Sequence, residues 1–132
     1  MSAPVLYLVI PCYNEQEVLD DTAVKLAIKF KQLTEDGKIS AKSRIAFVND
    51  GSRDGTWELI RRCTEQSPVF SGINLAHNEG HQNALLAGLM TVLPYADVAI
   101  SMDADLQDDI HAIDAMLEKY AAGANIVYGV RE

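Results

Sequence analysis

Short apolar runs alternating with helix-length amphipathic segments restrict this chain to very few folds. "VLYLVI" (residues 5–10) is continuous and β-rich and ends at Pro11, as expected of a strand buried on both faces. From Glu15 to about Leu33, the apolar Val18, Ala23, Leu26, Phe30 and Leu33 recur at the spacing of an amphipathic helix. "EDGKISAKS" reads as a loop, "RIAFVND" (44–50) as a second strand, and "GTWELIRRCTEQ" (55–66) as a helix with Trp57, Ile60 and Cys63 inward. "FSGINL" (70–75) is a third strand. "GHQNALLAGLMTVL" (80–93) is a helix of small residues suited to lying close on a sheet, and Pro94 stops it. "DVAISMD" (97–103), "DDIHAIDAMLEKYAAG" (108–123) and "NIVYGV" (125–130) continue as strand, helix and strand. Crossovers of this length predict parallel pairing. The expected architecture is a Rossmann-like α/β sheet, mostly parallel, with helices on both faces.

At 132 residues the chain suits one domain and hardly two. Its formal charge of −8, with no basic run beyond Arg61-Arg62, argues against a nucleic-acid partner. The same charge disfavours adsorption of this segment to anionic membranes. An anionic substrate is compatible with it if a metal supplies positive charge locally. Cys12 and Cys63 lack metal-ligand spacing, which fits a reduced, cytoplasmic setting. No apolar stretch reaches the roughly 18 residues of a membrane span, and "MSAPVLYLVI" lacks the basic start of a signal peptide. The sequence stops at Glu132 directly after an expected strand, which reads as a truncated fold. Its unfinished sheet would leave edges that favour a homo-oligomer.

In an open parallel sheet, ligands bind beyond the carboxyl ends of the strands. Four polar loops follow those ends here: "PCYNE", "NDGSRDGT", "AHNEGHQ" and "DADLQDD". Their convergence on one sheet edge points to a site. "DGSRDG" begins like a calcium-binding EF-hand loop, but the twelfth position is Arg61, which cannot ligate a cation. The plainer reading is a tight turn, with Gly51 and Gly55 at positive φ and Asp54 or Thr56 capping the next helix. It does not explain why Asp50 ends a buried strand, where a carboxylate could accept hydrogen bonds from a base or a ribose. His77 and His81 have zinc-ligand spacing, yet they straddle a loop-to-helix junction. Asn78 is the expected N-cap there and Gly80 the point of close backbone approach.

"MDADLQDD" gathers four carboxylates where a strand ends. Asp103 and Asp105, two apart on an extended strand, would lean the same way, and a divalent cation would relieve their repulsion. Hard oxygen ligands of this kind favour Mg²⁺ or Mn²⁺ completed by substrate phosphates. Gln107 offers a further amide oxygen. Asp108 and Asp109 read better as acids opposing a helix macrodipole. Aspartyl-phosphate phosphatases also place D-x-D after a strand, but after the first one, with a downstream Lys loop that this chain lacks.

"VIPCYNE", "VNDGSRDGT", "HNEGHQNALLAG" and "MDADLQDD", in this order, resemble the family 2 glycosyltransferases of GT-A fold. The branch most similar contains dolichol-phosphate mannose synthase and the bacterial polyprenyl-phosphate glycosyltransferases. The resemblance covers nearly the whole chain and implies inverting sugar transfer from a nucleoside-diphosphate sugar with a divalent metal. By position it places Pro11, Tyr13 and Glu15 along the nucleotide pocket and Val48 and Asp50 at the base. Asp103, Ala104 and Asp105 would border ribose and diphosphate, with Asp103 and Asp105 at the catalytic centre. Asp105 would hold Mg²⁺ or Mn²⁺ with Gln107 as a second ligand. The implied acceptor is a lipid phosphate, and the parent protein would sit at the cytoplasmic face of a membrane. Many members carry two acids where this chain has Asn49-Asp50, and an aromatic where it has Glu79. Members continue past "VYGVR" into an acceptor-binding part, so residues 1–132 correspond to the nucleotide-sugar-binding portion. That portion alone is expected to bind donor and to turn over poorly. The competing reading is a nucleotide-binding or scaffold module without transfer.

Overall fold

The computed structural model describes residues 3–105 and 110–121. Four strands and four helices alternate along them: β1 (Leu6–Cys12), α1 (Leu19–Glu35), β2 (Arg44–Asp50), α2 (Thr56–Gln66), β3 (Phe70–Leu75), α3 (His81–Val92), β4 (Val98–Ser101) and α4 (Ala112–Ala121). A 3₁₀ turn at Leu93–Tyr95 carries Pro94 and ends α3. The expected strand at 125–130, together with Gln107, Asp108 and Asp109, lies outside the described residues.

The strands pair in parallel in the order β3-β2-β1-β4. After β3 the chain therefore crosses back over the sheet to add β4 on the far side of β1. The order reverses between β1 and β4, which makes that crevice the topological switch point.

Alternation along the strands builds two unequal cores. Leu6, Leu8 and Ile10 of β1 with Ile45 and Phe47 of β2 face α1, α2 and α4, where Leu26, Phe30, Ile60 and Ile113 join them. The opposite face, with Val9, Ala46 and Val48, is covered by α3 through Ala84 and Val92. Small residues let α3 sit low: a Cβ on Gly88 would fall 2.6 Å from Val9 Cγ1 and 2.7 Å from Val48 Cγ2. Trp57, Ile60 and Cys63 point inward as the periodicity predicts.

Helix α1 starts later than its apolar spacing suggests, and Val18 is 37% exposed rather than buried. Residues 14–16 are held by the β2–α2 loop instead. Asn14 N–H donates to Ser52 Oγ, Glu15 N–H to Thr56 Oγ1, and Gln16 Oε1 accepts from Gly55 N–H. The Glu15 carbonyl accepts from Val18 and Leu19 N–H as a leading turn, and the regular helix begins at Leu19.

Candidate functional site

The loop after β1 forms one wall of the site. β1 runs through Pro11 to Cys12, beyond the end its apolar run marks, and Asn14 takes the left-handed conformation at φ 53°, which Asn tolerates better than most residues. Its Oδ1 accepts from Arg53 N–H at 2.9 Å, in return for the bond its own N–H gives to Ser52. This two-way lock fixes the neighbours on either side, Tyr13 and Glu15, at the mouth of the switch-point crevice.

The loop after β4 forms the facing wall. Here the extended D-x-D expected from the sequence is replaced by a turn, because β4 stops at Ser101. The turn is tied to α1, as the Thr22 hydroxyl donates to the Ala104 carbonyl at 2.6 Å, and Ala104 is buried in the core. Asp103 and Asp105 flank that anchor. Together with Pro11, Tyr13, Glu15, His81 and Ala104 they line a cavity of about 440 Å³.

A second lobe of about 220 Å³ adjoins the first and shares Pro11, Tyr13 and His81 with it. Cys12, Asp50, Asn78 and Gly80 complete it. Asp50 is only 3% exposed, and its Oδ1 accepts from Glu79 N–H at 2.7 Å, fastening the β3–α3 loop to the end of β2. Gly51 makes that approach possible. It sits at φ +65°, and a Cβ there would lie 2.4 Å from Asn78 N. Val48 is placed differently from the other sequence-derived candidates: its side chain is fully buried beneath α3 and lines neither lobe.

Other details of these loops depart from the sequence reading. Gly55 has φ −80° rather than a positive value, and its constraint is the close Gln16 side chain. Asp54 accepts from Thr56 N–H, but the N-cap of α2 is Gly55. At α3 the N-cap is Gly80, not Asn78, and Asn78 Oδ1 instead accepts from Gly80 N–H at 3.1 Å. Gly80 is required for its φ of +92°, since nothing lies within 4 Å of a Cβ built there.

Electrostatics distinguish the first lobe. Burial pushes the Glu15 carboxyl above its ordinary value, and the negative charges of Asp105, Asp103 and Asp54 push it further the same way. Cys12 is buried, and desolvation with the nearby Glu15 charge raises its thiol well above the usual range. A thiol held protonated is no nucleophile. Among the described residues no group of three or more His, Cys, Asp or Glu side chains forms a closed metal cage. His81 and Asn78 line the site although their sequence context reads as a helix start. The signal that could have singled them out is their position after β3, beside the strand that Asp50 ends.

A parallel α/β sheet with a polar crevice at its switch point defines the open α/β class of protein, in which ligands bind beyond the carboxyl ends of the strands. Comparison with known proteins makes the assignment specific: the profile of Glycosyl transferase family 2 matches residues 7–132, and the chain belongs to that family. It is 48% identical to the uncharacterized glycosyltransferase YkoT of Bacillus subtilis over 98% of its own length and 39% of that protein's. It is 35% identical to the prophage bactoprenol glucosyl transferase homolog of Escherichia coli, over 94% of this chain and 38% of that one. The chain thus spans about two fifths of the length of these relatives. Among solved structures, the mannosyltransferase PcManGT from Pyrobaculum calidifontis, in complex with GDP-Man and Mn²⁺, superposes with a TM-score of 0.56. That superposition covers 80% of this chain and 28% of the mannosyltransferase at 23% identity, and it shows a common GT-A fold, of which this chain holds part.

Proposed function

We propose that this chain is the donor-binding part of an enzyme that moves a sugar, with inversion, from a nucleoside-diphosphate sugar to a polyprenyl phosphate. The observation that carries the reading is the two-lobed crevice at the switch point, with Tyr13 and His81 shared, acids Glu15, Asp103 and Asp105 in one lobe and Asp50 in the other. The donor set fits a divalent metal, because the carboxylates that raise the Glu15 value repel one another until a cation offsets them. Asp105 with Gln107 would hold Mg²⁺ or Mn²⁺, which supplies neutralisation of the charge that grows on the leaving diphosphate. Asp103 and Ala104 border the ribose and diphosphate, while Pro11, Tyr13 and Glu15 align the nucleotide. Holding the donor in this fixed wall keeps the anomeric carbon in line for attack. An acceptor phosphate is already anionic and needs no strong base. The bactoprenol glucosyl transferase names among the relatives support a lipid-phosphate acceptor, and the parent protein would then work at the cytoplasmic face of a membrane. No described helix is itself long and apolar enough to cross one.

The test is calorimetric titration of UDP- and GDP-sugars with and without Mn²⁺, on the wild type and on Asp105→Ala. Metal-dependent affinity that falls about 100-fold or more in the variant is expected for loss of a direct ligand. Binding that ignores both metal and substitution would leave a scaffold module instead.

A further inference from the structure

We infer that Thr22, a residue of α1 that lines neither lobe, is a positioning residue for the crevice: its hydroxyl sets where Asp103 and Asp105 stand relative to Glu15. The inference rests on the donor-binding reading above and adds to it a residue that acts from behind the metal-binding wall. A threonine inside a helix commonly turns its hydroxyl back onto the carbonyl four residues earlier. Thr34 does so to Phe30 at 2.8 Å, and Thr91 to Ala87 at 2.7 Å. Thr22 does not. Its hydroxyl crosses to the Ala104 carbonyl at 2.6 Å, 82 positions along the chain. At 2% exposure, a valine would fill the same volume with no polar atom to satisfy. What the hydroxyl contributes is therefore the bond to Ala104.

That bond falls where the sheet lets go of the chain. The pairing of β1 with β4 ends at Val9 and Ser101, and Met102 N–H still reaches the Val9 carbonyl at 3.2 Å. Two residues further on, α1 holds Ala104 instead. Asp103 and Asp105 stand on either side of that anchored residue and line the larger lobe. Facing them, Glu15 is joined to the same helix, since its carbonyl accepts from Val18 and Leu19 N–H at 3.1 and 3.0 Å. The start of α1 thus carries both walls, one through its leading turn and the other through the Thr22 hydroxyl. Like charges push such walls apart wherever the backbone permits, and the Thr22 bond opposes that before any cation arrives. The raised Glu15 carboxyl, pushed up by burial and then by Asp105 and Asp103, agrees with acids held near it. A wall already in place spends less of the binding energy on ordering itself around a metal and a diphosphate.

The experiment is titration of the chain with UDP and GDP, each with and without Mn²⁺, on the wild type, Thr22→Val, Thr22→Ser and Asp114→Asn. Its readout is the factor by which Mn²⁺ tightens nucleotide binding. Thr22→Val should lower that factor about tenfold and leave the metal-free affinity within about twofold, as expected for loss of a group that orients a metal ligand. Thr22→Ser keeps the hydroxyl and should restore the factor. Asp114→Asn also removes a contact of α1, the one Lys29 makes with α4, and controls for lost stability; the factor should stay at the wild-type value. If Thr22→Val does not fold, Thr22→Cys carries the same test, because a thiol of similar size is only a weak donor. The inference is overturned, while the donor-binding reading stands, by an unchanged factor in Thr22→Val, by a loss that Thr22→Ser fails to restore, or by an equal fall in Asp114→Asn. A wild type whose nucleotide affinity ignores Mn²⁺ overturns both.

Discussion

Glu15 and Asp114 are both partly buried carboxylates, and they are displaced in opposite directions. Burial pushes each of them up. At Asp114 the hydrogen bond and charge of Lys29, with the charge of Lys38, outweigh burial and hold the carboxyl below its ordinary value. At Glu15 the neighbouring charges are Asp105, Asp103 and Asp54, which add to burial. The difference separates two uses of an acid. Asp114 joins α4 to α1 through Lys29, whose side chain is almost fully buried, and through Lys38 at 3.6 Å. Its partners are internal, so the ion pair belongs to the fold. Glu15 stands among like charges at the switch-point crevice, an arrangement that costs the apo protein stability and that a bound cation would relieve.

The largest effect that sharpens this contrast is expected from Asp114→Asn. Lys29 would keep its charge and lose its carboxylate, at a cost of about 2 kcal/mol, discounted from a fully buried pair because Asp114 is part-exposed. Urea unfolding near neutral pH measures it, and nucleotide affinity should not change. The sign with pH follows from the depressed carboxyl: its stabilisation is present above the ordinary carboxylate value and is lost as pH falls through the lowered native one. The gap between wild type and variant should therefore close below about pH 4. A gap that persists in acid would show that Asp114 stabilises by packing.

Glu15→Gln should do the reverse on a smaller scale. A raised carboxyl contributes stability that is full below its ordinary value and lost as pH rises through the native one. Removing the charge should thus stabilise the metal-free protein at pH 7 by a few tenths of a kcal/mol, as expected for a partly exposed group. The gain should vanish near pH 4 and shrink when Mn²⁺ is added. A variant less stable than wild type at pH 7 would break the comparison, since Glu15 would then be held by something other than acids.

Much of this was legible in the chain. β2 and β3 span the residues their runs mark: β2 is buried along nearly its whole length and leaves a continuous apolar signal, while β3, half-exposed at the end of the strand order, is delimited by the turn residues around it. Period-two and helical spacing say nothing of neighbours across the sheet. The β3-β2-β1-β4 order is what sets the Tyr13 loop beside Asp103 and Asp105. For the same reason His81 and Asn78 were read as a helix start: their place in the lobes depends on Asp50 fastening Glu79 from another strand. The start of α1 was misplaced because the bonds that hold Asn14 to Gln16 come from residues about forty positions away. Val48 shows the converse limit. It precedes the site by two residues, yet strand alternation turns its side chain under α3.

The most direct measurement is anomalous diffraction from crystals grown with Mn²⁺ and a nucleoside diphosphate. The account predicts a manganese peak at the Asp105 carboxylate, with the nucleotide in the crevice beside it and its base toward Asp50. A nucleotide bound elsewhere, or manganese seated away from Asp105 while the crevice is occupied, would contradict it.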